Sequence, residues 1–324
     1  MFLSQQDGLK FSLGPENETT VTEFILEGFP GLDQRPQLFL SLVLLLTYLT
    51  MVLGNATIIF LVCVDHHLQT PMYFFISNFA FLEIWFTSST SIKLFAILSS
   101  DQKTISPSSC FAQSYFYFAL GCTEFILLVV LSCDRCVAIC QPLHYAALME
   151  PQLCLCLLVA AWAIGFSLQS YHLLFLPELS FCGSNKIPHF LCDNTPWFKL
   201  SCSDTSLLWK IDSLFSSCVL MGSLCFTLAF YMCILFCILH LPAASERKKA
   251  FTTCSSHLIT LSIACIALYM CPSEDASLKT NKIVALLNTV LYPFLNPFMY
   301  SLRIRAVILT LNKFLARTVI KLFP

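Results

Sequence analysis

Long runs of apolar residues, separated by short polar stretches, dominate the hydropathy pattern of the chain. A helix needs about 20 apolar residues to cross a hydrocarbon core of about 30 Å. Seven runs have about this length, and they begin near Gln37, Met72, Cys110, Leu153, Leu208, Ala250 and Ile283. The pattern therefore predicts an all-α membrane protein, a seven-transmembrane helix bundle with its termini on opposite sides of the bilayer.

The polar ends of the chain divide it further. We expect an extracellular N-terminal arm (1–36), a transmembrane domain (37–302) and a cytoplasmic tail (303–324). Basic residues in the tail alternate with apolar ones, which is typical of a short amphipathic helix lying on the membrane surface. A disordered basic tail is the alternative.

Orientation follows from several weak signals. Asn17-Glu18-Thr19 is an N-glycosylation sequon in the arm, and basic clusters precede the sixth span and fill the tail. Lysines and arginines are otherwise about equally frequent on both sides, so the positive-inside rule alone does not decide. We see no cleavable signal peptide, and we expect a multi-pass protein of the plasma membrane with an extracellular N-terminus.

Composition agrees with a membrane protein. The chain is 57% hydrophobic and 11% charged, whereas soluble domains carry roughly 25% charged residues. The net charge of −1 gives no indication of a nucleic-acid partner, and no Gly-rich phosphate loop predicts a cofactor. The partners expected from composition are membrane lipids.

Four of the 18 cysteines differ from the rest because they lie at the outer ends of spans or in a polar loop. In an oxidising compartment they can form two disulfides. We pair Cys110 with Cys192 and Cys182 with Cys202, although four cysteines allow three connectivities. A metal site using His189 is disfavoured because a disulfide sulfur is not a thiolate ligand.

Two carboxylates fall inside apolar spans, where each charge needs a physical reason. At about 1.5 Å per residue, Glu83 and Glu124 lie about 16 to 18 Å from the cytoplasmic ends of their helices, and Asn55 lies at a similar depth. Such a polar layer favours a shared proton or a bound cation such as sodium. Two protonated acids hydrogen-bonded within the bundle are the alternative.

The third span has one face with functional candidates. Tyr117, Gly121, Glu124, Leu128 and Arg135 follow three- and four-residue steps and share one side of the helix. Asp134 can hold the Arg135 guanidinium in one arrangement and release it in another, as a two-state switch. The alternatives are close helix packing at Gly121 and an acid–base pair that only anchors the helix end.

Several motifs carry a specific resemblance. They are Gly54-Asn55, "PMYFFISN" at 71–78, "CDRCVAICQPLHY" at 133–145, "KAFTTCSSHL" at 249–258 and "PFLNPFMYSLR" at 293–303. Over nearly its full length the chain resembles the rhodopsin-like G-protein-coupled receptors and, within them, the olfactory receptors. The resemblance implies an odorant receptor that binds small volatile ligands in a mainly apolar pocket, and not an enzyme.

The resemblance also implies residue roles. The ligand-facing candidates are Tyr117, Phe118, Gly121, Cys122 and Tyr269. The expected partner is a heterotrimeric G protein of the stimulatory olfactory type, which raises cyclic AMP. The residues of this chain that the resemblance assigns to the G-protein switch are Asp134, Arg135, Asn296, Pro297 and Tyr300. Glu83 and Glu124 fall in the family's sodium-linked polar layer.

The chain departs from the family pattern in three places. Cys133 and Cys136 flank Asp-Arg where the family usually has tyrosines, and Ile304 replaces an asparagine. In span six, Ala264-Cys265-Ile266 stand where the family continues with Phe-Tyr-Gly, and Pro272 comes about three residues early. A three-residue deletion would rotate the rest of the helix by about 300° and shorten it by about 4.5 Å. We therefore expect weakened signalling or an altered pocket, with Tyr269 displaced.

Two other classes compete with a receptor. The mid-membrane carboxylates fit a transporter or channel, although no repeat of hydropathy relates the two halves. His257 and the cysteines could serve an intramembrane enzyme, although no nucleophile and base stand at convincing spacing.

Overall fold

The computed structural model describes residues 22–29, 31, 33–100, 102–175, 178–181, 184–240, 282, 285 and 286. Most of the predicted spans six and seven and the whole tail lie outside this part of the chain. So do Asn17, Cys182, Tyr269, Asn296, Pro297 and Tyr300, the span-six departure and the predicted C-terminal helix.

Five long helices form the part of the bundle that the structure describes, and they coincide with the first five predicted spans. They are α1 (Gln34–Val64), α2 (Pro71–Ser100), α3 (Pro107–Cys140), α5 (Pro151–Leu168) and α8 (Ser206–Leu239). Shorter elements lie between them: a 3-10 turn (His66–Leu68), α4 (Tyr145–Leu148), α6 (Tyr171–Phe175) and α7 (Asn194–Leu200). Proline in the first turn of α3 and α5 costs no hydrogen bond there, and the Ser106 side chain caps α3 by accepting from the Ser109 N–H.

Helix α3 is the central element among the described helices. It packs against α2, α5 and α8, while α1 packs against α2. The large apolar core of these contacts includes Phe75, Phe79, Leu82, Leu120 and Leu131. The outward faces are apolar as well: Phe39 is 69% exposed and Phe236 is 67% exposed. Apolar residues on both the inner and outer faces are typical of helices that contact lipid.

A small sheet covers one end of the bundle, which the sequence did not predict. Strand β1 (Phe24–Leu26) pairs antiparallel with β2 (Thr104–Ile105) and parallel with β3 (Lys186–Ile187). Phe24 and Leu26 point inward and are fully buried, since alternate residues of a strand face the same side. The arm from residue 22 onward is therefore anchored to the loops that follow α2 and α6.

A single lysine connects this arm to the start of the predicted seventh span. The Lys282 ammonium donates a hydrogen bond to the Gly28 carbonyl oxygen at 2.7 Å. Lys282 is 8% exposed, so the bond is shielded from water.

Candidate functional site

The predicted switch pair lies at the end of α3. Asp134 is fully buried, and Arg135 is 13% exposed. The Arg135 guanidinium forms an ion pair with the Asp134 carboxylate and donates from Nε to Oδ2 at 3.0 Å. The other carboxylate oxygen, Oδ1, accepts a hydrogen bond from the Tyr145 hydroxyl at 2.7 Å.

Tyr145 was not among the predicted switch residues, although it lies within the quoted motif. It belongs to the short helix α4, which places its hydroxyl beneath α3. Burial raises the pKa of Tyr145, and the hydrogen bond to the Asp134 carboxylate raises it further. The hydroxyl therefore stays protonated and donates, so Asp134 is held from two sides. The switch role of the pair stays a prediction.

The three residues of the predicted polar layer are all buried. Asn55 and Glu83 are 0% exposed, and Glu124 is 5% exposed. They lie on α1, α2 and α3, and α2 packs against both of the other helices. Neither side-chain polar atom of Asn55 has a hydrogen-bond partner among the described residues. Occupancy of the layer by a proton or sodium stays a prediction.

The predicted ligand-facing residues of α3 lie in an aromatic cluster. Tyr117 stacks on Phe86 with ring centroids 5.3 Å apart, and Phe118 stacks on the His172 ring at 5.4 Å. Cys122 is buried, one turn below Phe118. A Cβ atom added at Gly121 would have Phe86 Cε2 as its nearest neighbour, at 3.9 Å. The described residues therefore leave room for a methyl group at Gly121.

A polar network beside this cluster was missed by the sequence reasoning. The Asn194 side chain accepts from Ser114 Oγ at 3.2 Å and donates to Asp212 Oδ1 at 2.8 Å. His172 Nε2 lies 3.0 Å from the Asn194 oxygen, and the Tyr171 hydroxyl donates to Asp212 Oδ1 at 2.6 Å. The network joins α3, α6, α7 and α8. The signal was available: His172 and Asp212 are polar residues within or beside apolar runs.

The disulfide between Cys110 and Cys192 is present, with Cα atoms 5.4 Å apart and a sequence separation of 82. Cys202 is also disulfide-bonded, while Cys182 lies outside the described residues, so the Cys182–Cys202 pairing stays a prediction. No group of three or more metal-ligating side chains occurs in the described part of the chain. His189 lies stacked on Phe190 with centroids 4.7 Å apart.

Comparison with known proteins identifies the architecture and the family. The family model described as "Olfactory receptor" matches residues 44–318, which is most of the chain. The chain belongs to the olfactory receptor family. Olfactory receptor 6E1 of Mus musculus is 47% identical over 295 residues, covering 90% of this chain and 94% of that protein. Olfactory receptor 6C3 of Homo sapiens is 47% identical over 290 residues, covering 89% and 93%.

A solved structure gives the same fold. Squid rhodopsin matches with a TM-score of 0.64 at 14% identity, over 90% of this chain and 88% of that one. The protein is therefore a multi-pass olfactory receptor with the seven-transmembrane helix bundle of the G-protein-coupled receptors. It belongs to a family of receptors and not of enzymes, which sets aside the enzyme alternative.

The structure shows what surrounds the cysteines beside the receptor's switch pair. Cys136 packs with Ile139 against an apolar cluster of Tyr231, Ile234 and Ile238 on α8. Its sulfur lies 3.9 Å from that of Cys140. Cysteine acts here as a small hydrophobe between α3 and α8.

Asp193, which follows the disulfide, gives the receptor a testable pH dependence. Burial, together with the nearby Asp212 carboxylate, raises the pKa of its carboxyl to about 7. The atom Oδ1 has no hydrogen-bond partner among the residues described. Because the folded pKa exceeds the ordinary value of about 3.9, protonated Asp193 stabilises the fold fully below about pH 4. That contribution is lost as the pH rises toward 7.

We expect the difference in unfolding free energy between wild type and Asp193→Asn to fall as pH rises from about 4 to 7. The slope is at most about 1.4 kcal/mol per pH unit, the value for one proton. Thermal unfolding of both purified proteins in detergent across this range measures it. Parallel curves for the two proteins would contradict the assignment of a raised pKa to Asp193.

Proposed function

We propose that this receptor binds small, mostly apolar volatile ligands within the helix bundle and activates a stimulatory G protein of the olfactory type, which raises cyclic AMP. The observation that carries the proposal is the Asp134 carboxylate, buried at the end of α3 and held between Arg135 and Tyr145. A buried acid with two specific partners is a two-state element that a ligand elsewhere in the bundle can bias.

The ligand site of this proposal lies at the other half of α3. Tyr117, Phe118, Gly121 and Cys122 supply aromatic and small apolar surface, which suits volatile molecules. Tyr269 is proposed to complete the site from span six. Because α3 is a continuous helix from Pro107 to Cys140, it connects this surface directly to the switch pair.

Activation requires release of Arg135 toward the cytoplasm. In the proposed sequence, ligand binding shifts α3, and the guanidinium exchanges Asp134 for groups of the G protein. Asn296, Pro297 and Tyr300 are proposed as the second switch, since Pro297 leaves one backbone carbonyl of span seven without its helical hydrogen bond.

An odorant panel tests the function. Cells that express the receptor with a cyclic AMP reporter should respond to at least one small volatile compound. The Arg135→Leu variant should reach the surface and lose the response. An absence of response to the whole panel by surface-expressed wild type would overturn the proposal, and so would an intact response of Arg135→Leu.

Removing the charge that holds Arg135 should raise basal signalling. In Asp134→Asn the ion pair is lost while the side chain keeps its shape, so we expect ligand-independent cyclic AMP to rise several-fold over wild type. Tyr145→Phe, which removes only one hydrogen bond worth about 1 kcal/mol, should give a smaller rise. Basal levels at matched surface expression measure both, and unchanged levels in Asp134→Asn would contradict the switch.

The apparent three-residue deletion in span six is proposed to weaken the response. Supporting it is the early Pro272 after "SHLITLSI" in the sequence. Inserting Phe-Tyr-Gly after Ile263 should restore the helix register and raise both surface level and maximal cyclic AMP response. No gain in either would count against the deletion.

Location in the plasma membrane with an extracellular N-terminus is part of the same proposal. The sheet and the Cys110–Cys192 disulfide lie at one end of the bundle and support an oxidising outer side there. Glycosylation at Asn17 should then give a mobility shift that glycosidase removes and Asn17→Gln abolishes.

A further inference from the structure

Several hydrogen-bond donors of the polar network beside Phe118 already have acceptors within the network. The Asp212 carboxylate can only accept, so the Asn194 amide must turn its N–H₂ group toward Asp212 and its oxygen toward Ser114 and His172. His172 Nε2 lies 3.0 Å from that oxygen. The Tyr171 hydroxyl donates to Asp212, and His172 Nδ1 lies 3.2 Å from the Gln169 carbonyl oxygen. The Ser114 and Tyr171 hydroxyls and one N–H of Asn194 therefore have acceptors within the network.

Gln169 differs from its neighbours because it has an acceptor without a partner. Its side chain is 5% exposed, and it hydrogen-bonds with the Cys122 thiol. The amide oxygen Oε1 has no hydrogen-bond partner in the described part of the receptor. The N–H₂ group is therefore the end that meets the sulfur. A buried acceptor left unpaired costs about 1 to 3 kcal/mol, which a bound hydroxyl group would recover.

The position of Gln169 connects this oxygen to the ligand site. The residue ends α5, its partner Cys122 is a ligand-facing candidate, and its backbone carbonyl meets the histidine that stacks on Phe118. Phe118 and Cys122 supply aromatic and apolar surface beside the polar network. A ligand that fits it needs an apolar body and one hydrogen-bond donor.

We propose that Gln169 Oε1 selects hydroxyl-bearing odorants, alcohols and phenols, by accepting a hydrogen bond from the ligand O–H. The inference rests on the proposed odorant function and narrows it to a ligand class. Ethers of the same formula present the same apolar surface without a donor, and they leave the amide oxygen unpaired.

Isomeric pairs test the selection directly. The probes are n-octanol with heptyl methyl ether and para-ethylphenol with para-methylanisole, applied to cells expressing the full-length receptor with a cyclic AMP reporter. We expect the hydroxyl isomer of each responding pair to have an EC50 at least about tenfold lower, which corresponds to roughly 1.4 kcal/mol. In Gln169→Leu the ratio should fall to about one.

A matched control and the separate outcomes make the test decisive. Gln152→Leu changes an exposed glutamine on the same helix and should keep the wild-type ratio. If Gln169→Leu does not reach the surface, Gln169→Met replaces it. Equal potency of the isomers in wild type, or an unchanged ratio in the Gln169 variant, overturns this inference and leaves the odorant function standing. No response to these probes or to the wider odorant panel overturns the function itself.

Discussion

A receptor with alanine at position 165 is expected to fold poorly and to be nearly absent from the cell surface. Gly165 on α5 lies against Thr123 of α3, and an added Cβ atom would stand 2.9 Å from the Thr123 backbone nitrogen and 3.0 Å from its Cα. It would also collide with the Thr123 hydroxyl. Backbone atoms of a packed helix cannot turn aside as a flexible side chain can. Helices α3 and α5 must therefore separate, which removes contacts along their whole interface.

This substitution should lower the free energy of unfolding by about 1 to 3 kcal/mol, the range for overpacked cores. Surface labelling of an epitope-tagged receptor and thermal unfolding in detergent measure it. Another glycine serves as the matched control. Among the described residues, Gly222 on α8 has no atom within 4 Å of an added Cβ. Gly222→Ala should therefore be neutral or slightly stabilising, because alanine is the better helix former.

Gly121→Ala is the intermediate case. Within the described part of the chain its added Cβ would meet only Phe86, at an ordinary 3.9 Å. Surface expression should therefore survive while the ligand response changes. Equal surface levels for the Gly165 and Gly222 variants would show that close approach of α3 and α5 is not required.

The contrast between these glycines shows what the sequence could predict. Hydropathy located the five described helices because each span is longer and more apolar than the surrounding chain. Periodicity placed Tyr117, Gly121 and Arg135 on one face of α3, because helix geometry alone decides which residues share a face. The contact of Gly165 with Thr123 depends on how two helices cross, which no local pattern encodes.

The outer end of the receptor was harder to predict for the same reason. Phe24 to Leu26 form three residues of strand whose partners lie about 80 and 160 positions away in sequence, and so short a segment has no detectable period. Asn194 and His172 form a network only because the loop after α6 folds back onto the bundle. The Cys110–Cys192 pairing was accessible because cysteines at the outer ends of spans are few.

Loss of the Cys110–Cys192 disulfide is expected to have the second large effect on folding. Replacing Cys110 and Cys192 together by serine should reduce folding and surface level severely. In the chain-entropy model, closing a loop of about 80 residues stabilises the fold by about 4 kcal/mol, and both cysteines are 0% exposed. Each serine would also bury a hydroxyl group in place of an apolar sulfur.

The bond also positions the loop beside the proposed ligand site. The Cys192 N–H donates to Gln113 Oε1 at 3.3 Å, and Gln113 in turn donates to the Ser89 carbonyl at 3.0 Å. Asp193 and Asn194 follow directly, so the disulfide fixes the loop that supplies the polar network. Variant receptor that does reach the surface should therefore have lost its odorant response.

Cys218→Ser is the control, because Cys218 is a free, exposed cysteine on α8, and it should behave like wild type. Surface labelling, detergent thermal unfolding and the cyclic AMP response to one active odorant are the three measurements. A double variant with normal stability and response would show that the loop after α6 is held by its packing alone, through Phe190, Leu191 and Trp197.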